Sequence, residues 1–336
     1  MANATRAIRL LGPLLAVAAF YLPAILGGGG AVYSACVIIA ILAVMAYGLD
    51  AIVSDLGEVS LAHTVFFAAG AYATALLSTG PRWSPLITLL ASIAAASVAA
   101  AGLGWVTLHL REFVFSLVTY AVSVVAVTVA QNWSLLGGSD GLRGIPAFSL
   151  SLGPWSYSAR ADKELWPVAY GLLLLVLYVM YSFRRSRLGY AAVMTHLNPR
   201  LATMSGVDPQ RTRLLVFLFS APITASAGWL YAYQRAYVSS DVLETYFLVL
   251  MLTAVVLLGR RMLLGPLFGV ALIQIQEKFL SFGAYVDKII LGGALIVTLA
   301  FLPRGLVGLF HPLRRIIAGR LSPLPKTHAS GARSWR

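Results

Sequence analysis

The chain has 336 residues, 59% of them hydrophobic and 11% charged, with a mean hydropathy of +0.83 and a formal charge of +13. A soluble domain of this length does not carry such a composition, so a bilayer is its natural solvent. The basic residues are spread over short loops and one tail, which reads as membrane topology better than as a nucleic-acid surface, and the single cysteine, Cys36, leaves no disulfide framework or thiolate metal site.

A spanning helix needs ~20 largely apolar residues, because lipid offers backbone polar groups no partners. The sequence predicts an all-α membrane protein of about ten transmembrane helices. The first runs from Leu10 to Leu26. Arg6 and Arg9 before it resemble the start of a signal peptide, but a second apolar run follows Gly27 to Gly30, so it reads as a retained helix. The others are expected at Ala31 to Tyr47, Leu61 to Leu77, Pro85 to Leu108, Phe113 to Ala130, Trp166 to Tyr181, Leu214 to Tyr233, Val242 to Leu258, Leu263 to Phe279 and Ile289 to Leu302.

Ten crossings put both termini on one side. Basic residues then decide which side: about 18 of the 25 fall on the terminal side, making it cytoplasmic by the positive-inside rule. Two loops are long, an outer one from Gln131 to Leu165 and an inner one from Ser182 to Arg213. Residues 1–303 read as one transmembrane domain and residues 304–336 as a basic cytoplasmic tail. Ala69 with Ala73, Gly70 with Thr74, and Ser220, Thr224 and Gly228 put small residues on shared helix faces, a pattern that favours close packing over solute lining.

The inner loop reads as two short helices. Asn198 suits the cap of the second, Pro199 its first position, and Gly206 the left-handed residue that ends it. Caps mark helices and not partners, so on spacing alone a docking element and a solvated connector stay open.

The run from Gly189 to Tyr233, with Asn198-Pro199, Gly206-Val207 and Ala227-Gly228-Trp229-Leu230-Tyr231-Ala232, resembles the cytoplasmic loop and following helix of permease subunits of branched-chain amino acid ABC importers. Ser60-Leu61-Ala62-His63 with Phe66 to Tyr72, Asn132-Trp133 with Gly137 to Pro146, and Leu302-Pro303-Arg304-Gly305 are similar to that family's other signatures, in order along nearly the whole chain. The resemblance implies a type II ABC importer permease in a bacterial inner membrane. It implies pairing with a second, homologous permease, binding of two cytoplasmic ATPases through the inner loop, and delivery of substrate by an extracytoplasmic binding protein. The coupling contacts would be His196, Asn198, Pro199, Arg200 and Gly206. No Gly-x-x-x-x-Gly-Lys-Ser/Thr cradle occurs in the chain, so it is read as a transport subunit without catalysis or cofactor of its own, with ATP-Mg on the partner ATPases.

The chain departs from the family at Gly259-Arg260-Arg261-Met262, where a glycine-rich turn is usual, at Asp50, where Asn is common, and at Glu58, where Gln is common. Acids at a membrane boundary are functional candidates, although a helix end also simply solvates them. Asp50, Glu58, Ser60, His63 and Gly70 are the candidate pathway or gating residues, with His63 expected to bond a neighbouring helix. Gly137, Gly138, Ser139, Asp140 and Gly141 are expected to shape the outer mouth. Their Gly-x-Ser-x-Gly spacing matches the nucleophile elbow of hydrolases, but that motif needs a strand-to-helix turn and a histidine base. The five histidines are scattered, which speaks against a zinc site.

Branched-chain amino acids are the family default as substrate; urea, amides and aromatic or other small carboxylates are alternatives. An ion-coupled secondary transporter is the rival class, and it calls for paired ionisable groups or broken helices at the bilayer midplane.

Overall fold

The computed structural model describes residues 16–301 apart from 81, 108–109, 111, 153–154 and 280–283. Of the first expected span only residues 10–15 lie outside the described residues, and the rest is helical over 16–20 and Leu22–Ile25; the Leu302 to Gly305 ending and the basic tail also lie outside them.

Helix α1 (Gly30–Asp50) lies at the centre, apolar on every face and buried from Ile38 through its continuation, a π-helical segment Ala51–Leu56, except at Ile39. Around it run α2 (His63–Thr79), α3 (Pro85–Thr107), α4 (Glu112–Asn132) and α5 (Asp162–Arg184). Two short helices follow, α6 (Arg187–Leu197) and α7 (Pro199–Met204). Then come the long α8 (Pro209–Arg235), α9 (Thr245–Leu257), α10 (Gly265–Phe279) and α11 (Ala284–Phe301). Helix α8 packs against α1, α2 and α3, while α1 also meets α5, α9 and α10. Trp166 Nε1 and the Tyr170 hydroxyl on α5 donate to the carbonyls of Phe20 (3.0 Å) and Ala16 (2.6 Å), tying the chain ahead of α1 to the bundle.

Among the described residues, five helices are long and apolar enough to cross a membrane: Gly30–Leu56, Pro85–Val106, Phe113–Asn132, Asp162–Arg184 and Pro209–Arg235. The count of ten is therefore not reached among the described residues. Helices α2, α9 and α10 have 17, 13 and 15 residues, short of the ~20 for a straight crossing. The expected span from Val242 is cut because Ser240–Leu243 winds as a 3-10 turn and the α-helix starts only at Thr245. Conversely, α8 begins earlier than its apolar run: Asp208 Oδ1 accepts from the amides of Gln210 (2.9 Å) and Arg211 (3.3 Å), and Pro209 takes the first helical position.

The fold is all-α as expected, with two small two-stranded sheets in or beside its loops. The loop between α4 and α5 contains an antiparallel hairpin of β2 (Phe148–Leu152) and β3 (Trp155–Ala159), with Phe148 opposite Ala159. Its short β1 (Leu142–Arg143) pairs with β4 (Tyr237–Val238) just after α8. Phe148 is buried and packs edge-on against Trp229 and Tyr233 of α8, which anchors the hairpin to one end of the bundle. Helices α6 and α7 occupy the opposite end, called the loop end below.

Candidate functional site

Three acids lie close together where α1 ends: Asp50 on its last turn, Asp55 in the π-helical segment and Glu58 just after it. All three are buried, Asp55 completely. An unpaired carboxylate in such surroundings costs several kcal/mol, so each needs a cation. Arg184, the last residue of α5, bridges two of them: its Nη2 donates to Asp50 Oδ2 at 2.6 Å and its Nε to Asp55 Oδ2 at 3.1 Å. Ser54 adds a 2.6 Å bond to Asp50 Oδ1. Arg213 near the start of α8 pairs with Glu58 at 2.7 Å, and Arg261 of the α9–α10 turn with the other oxygen of Asp55 at 3.1 Å. The last two are ion pairs whose N–H groups are not aligned on the oxygens.

The π winding makes this junction possible. Residues five apart on an α-helix point about 140° away from each other. The wider i→i+5 turn brings Asp50 and Asp55 towards one face, where a single guanidinium spans both. Gly57 then turns the chain with φ +76, and a Cβ there would lie 1.7 Å from His196 Nδ1. The His196 ring of α6 thus rests on the turn that ends α1. Partial burial, with Arg260 and Arg261 nearby, lowers the His196 pKa below its ordinary 6.5.

The remaining inner-loop residues take the expected places. Asn198 Oδ1 accepts from the amides of Arg200 (3.1 Å) and Leu201 (3.2 Å), Pro199 opens α7, and Gly206 follows it with φ +79. Tyr190, Leu197, Leu201 and Met204 are exposed, so α6 and α7 present an apolar surface at the loop end. Among the candidates deeper in the bundle, His63 is fully buried between Ser60 Oγ (3.0 Å) and Ser220 Oγ (3.2 Å) of α8. Because the Ser220 hydroxyl donates to Phe217 O at 2.8 Å, its oxygen accepts from His63 Nε2–H and Ser60 donates to Nδ1. Gly70 sits at the α2–α8 crossing, where a Cβ would come 2.1 Å from Ala225 O. Gly228 makes the mirror contact with Phe67 O, and Thr224 lies against Gly48 of α1, so these small-residue sets are packing surfaces.

At the hairpin end, Gly138–Asp140 forms a 3-10 turn and Ser139 is exposed on it, which is not a strand-to-helix elbow. Gly137 and Gly141 fold the turn back on itself, and the Tyr237 hydroxyl donates to Asp140 O at 3.2 Å.

Reasoning from sequence named Asp50, Glu58 and His196 but not Asp55, Arg184, Arg213 or Arg261 as their partners. The available signal was the close spacing of three acids at the end of an apolar run, where charge must be matched. The Arg260-Arg261 substitution of the usual turn now has a role: Arg261 supplies the second cation on Asp55, and Tyr47 of α1 donates to Leu263 O at 2.7 Å in the same turn.

Spans of this length and hydropathy, packed into one helical bundle, define a multi-pass membrane protein. Residues 31–299 match the family described as branched-chain amino acid transport system / permease component, and the chain belongs to that family. It is 28% identical over 306 residues to the high-affinity branched-chain amino acid transport system permease protein LivM of Escherichia coli (strain K12), covering 82% of this chain and 70% of that one. Salmonella typhimurium LivM is 26% identical with the same coverage. The probable branched-chain amino acid transport permease protein LivH of Methanocaldococcus jannaschii is 27% identical over 161 residues, 44% of this chain and 49% of that one. No solved structure matches the chain significantly.

Proposed function

We propose that the chain is one membrane-spanning permease subunit of an ATP-driven importer of branched-chain or related amino acids, in a bacterial inner membrane with both termini cytoplasmic. The translocation path forms between it and a second, homologous permease. Two cytoplasmic ATPases bind ATP-Mg and supply the energy in trans, and an extracytoplasmic binding protein delivers substrate at the hairpin end.

The observation that carries this reading is the seating of the loop helices on α1. A force on α6 reaches Gly57 through His196, and one on the end of α5 reaches Asp50 and Asp55 through Arg184. The exposed Tyr190, Leu197, Leu201 and Met204 give an ATPase something apolar to grip, while His196, Asn198, Pro199, Arg200 and Gly206 set the shape of the grip. We assign gating to Asp50, Glu58, Ser60 and His63, the last held between Ser60 and Ser220, with Gly70 holding α2 against α8.

The test is co-purification of the ATPases with this chain and its partner permease after deletion of residues 198–206. Loss of the ATPases from a complex that still inserts supports the assignment; normal recovery overturns it. Uptake of leucine by the full complex, dependent on the binding protein and on ATP, tests the substrate class.

A further inference from the structure

Glu244 immediately precedes α9 and Lys288 lies in the first turns of α11, both at the hairpin end. Their charged groups are 3.8 Å apart, and the side chains are 52% and 57% exposed. Two open clefts meet there, sharing Glu244 and Thr245. One, of about 340 Å³, is walled by Val249 and Leu291 and edged by Lys288; the other, of about 260 Å³, runs along α4 past Ser123 and Val127. A second carboxylate nearby, Glu277, is engaged by the Tyr246 hydroxyl and by Gln274 Nε2 at 2.9 Å, which leaves Glu244 as the acid facing the clefts.

We propose that Glu244 and Lys288 form a transit subsite for the zwitterionic backbone of an amino acid. The Lys288 ammonium takes the α-carboxylate, the Glu244 carboxylate takes the α-ammonium, and the substrate side chain lies on Val249 and Leu291. The proposal rests on the reading that the chain carries amino acids.

Three physical points support it. An ion pair at 3.8 Å between half-exposed groups is longer than the ~2.7–2.9 Å of a charge-assisted hydrogen bond and gains little, so parting it is easy. A zwitterion brings both complementary charges in one molecule, so each group exchanges one opposite charge for another and no charge is left unmatched. The larger cleft falls near the lower end of the ~300–1,000 Å³ range of ligand sites, a size for a single small solute. A subsite built on one loose, half-exposed pair also releases what it holds, as a transit point must.

The experiment uses the complete complex in liposomes, with binding protein and ATP. In a Cys36→Ala background, Glu244→Cys and Lys288→Cys are modified with a methanethiosulfonate reagent during turnover, with and without leucine. Leucine should slow modification several-fold at both positions and leave Ser156→Cys on the exposed hairpin unaffected. Glu244→Gln and Lys288→Met should each lower leucine uptake about tenfold, the loss of one charge-assisted contact, in complexes recovered with full stoichiometry. The exchanged pair Glu244→Lys with Lys288→Glu separates this from a structural bridge: a bridge is restored by the exchange, whereas a subsite of fixed polarity is not. Full uptake by the exchanged pair, or modification insensitive to leucine, overturns the subsite alone. A wild-type complex that carries no amino acid overturns the underlying reading and the subsite with it.

Discussion

Asp55 is the residue on which most of the junction depends. Its two oxygens face Arg184 and Arg261, cations from two separate stretches of chain, and it has no exposure to water. Replacing it with Ala leaves Arg261 without its partner and Arg184 with Asp50 alone. The expected loss is about 3–5 kcal/mol, the range for breaking a buried pair from one side. Thermal unfolding of the purified chain measures it. If the pair is coupled as its geometry indicates, Asp55→Asn combined with Arg261→Gln costs less than the two separate changes added together. His196 carries the pH dependence of the loop contact. Its folded pKa lies below its ordinary value, so the unfolded ring binds a proton more readily than the packed one. The stability it contributes is therefore complete above the ordinary histidine range and is lost as pH falls through it. Comparing wild type with His196→Gln between neutral and mildly acidic pH should show this acid-side loss in the wild type only.

Among the elements, the α2–α8 crossing shows how small residues set the distance between helices. Gly70 and Gly228 let each backbone lie on the carbonyl of the other helix, and lipid supplies no hydrophobic force to compensate if they separate. Gly70→Val puts a branched side chain where even a Cβ is 2.1 Å from Ala225 O. It should destabilise the bundle by about 1–3 kcal/mol or more, read as a lowered melting temperature and a poorer folded yield in detergent. The hairpin is held differently, by one aromatic side chain. Phe148→Ala removes its wedge between Trp229 and Tyr233, whose own bonds to α3, Trp229 Nε1 to Pro85 O and Tyr233 with Thr88, remain. The bundle should keep its melting temperature within a few degrees while the hairpin becomes protease-sensitive near Ser156.

For the whole molecule, the membrane class, the helix order and the two-helix inner loop were legible in the sequence, because each follows from local rules. Apolar length marks a helix that lipid will accept, and Asn198, Pro199 and Gly206 cap whatever conformation their neighbours adopt. Helix lengths were less legible, since α8 is extended by its Asp208 cap and α9 is shortened by a 3-10 turn that hydropathy does not register. The small hairpin escaped notice because its strands are short and depend on Phe148 finding a pocket on α8. The sequence alone placed two acids, Asp50 and Glu58, at a membrane boundary after an early apolar run and a basic inner loop elsewhere in the chain. Only the tertiary structure decided that they meet. The π segment turns Asp50 and Asp55 towards one face, and Arg184, Arg213 and Arg261, distant in sequence, converge there, because a carboxylate kept charged in such burial costs several kcal/mol unless a cation meets it.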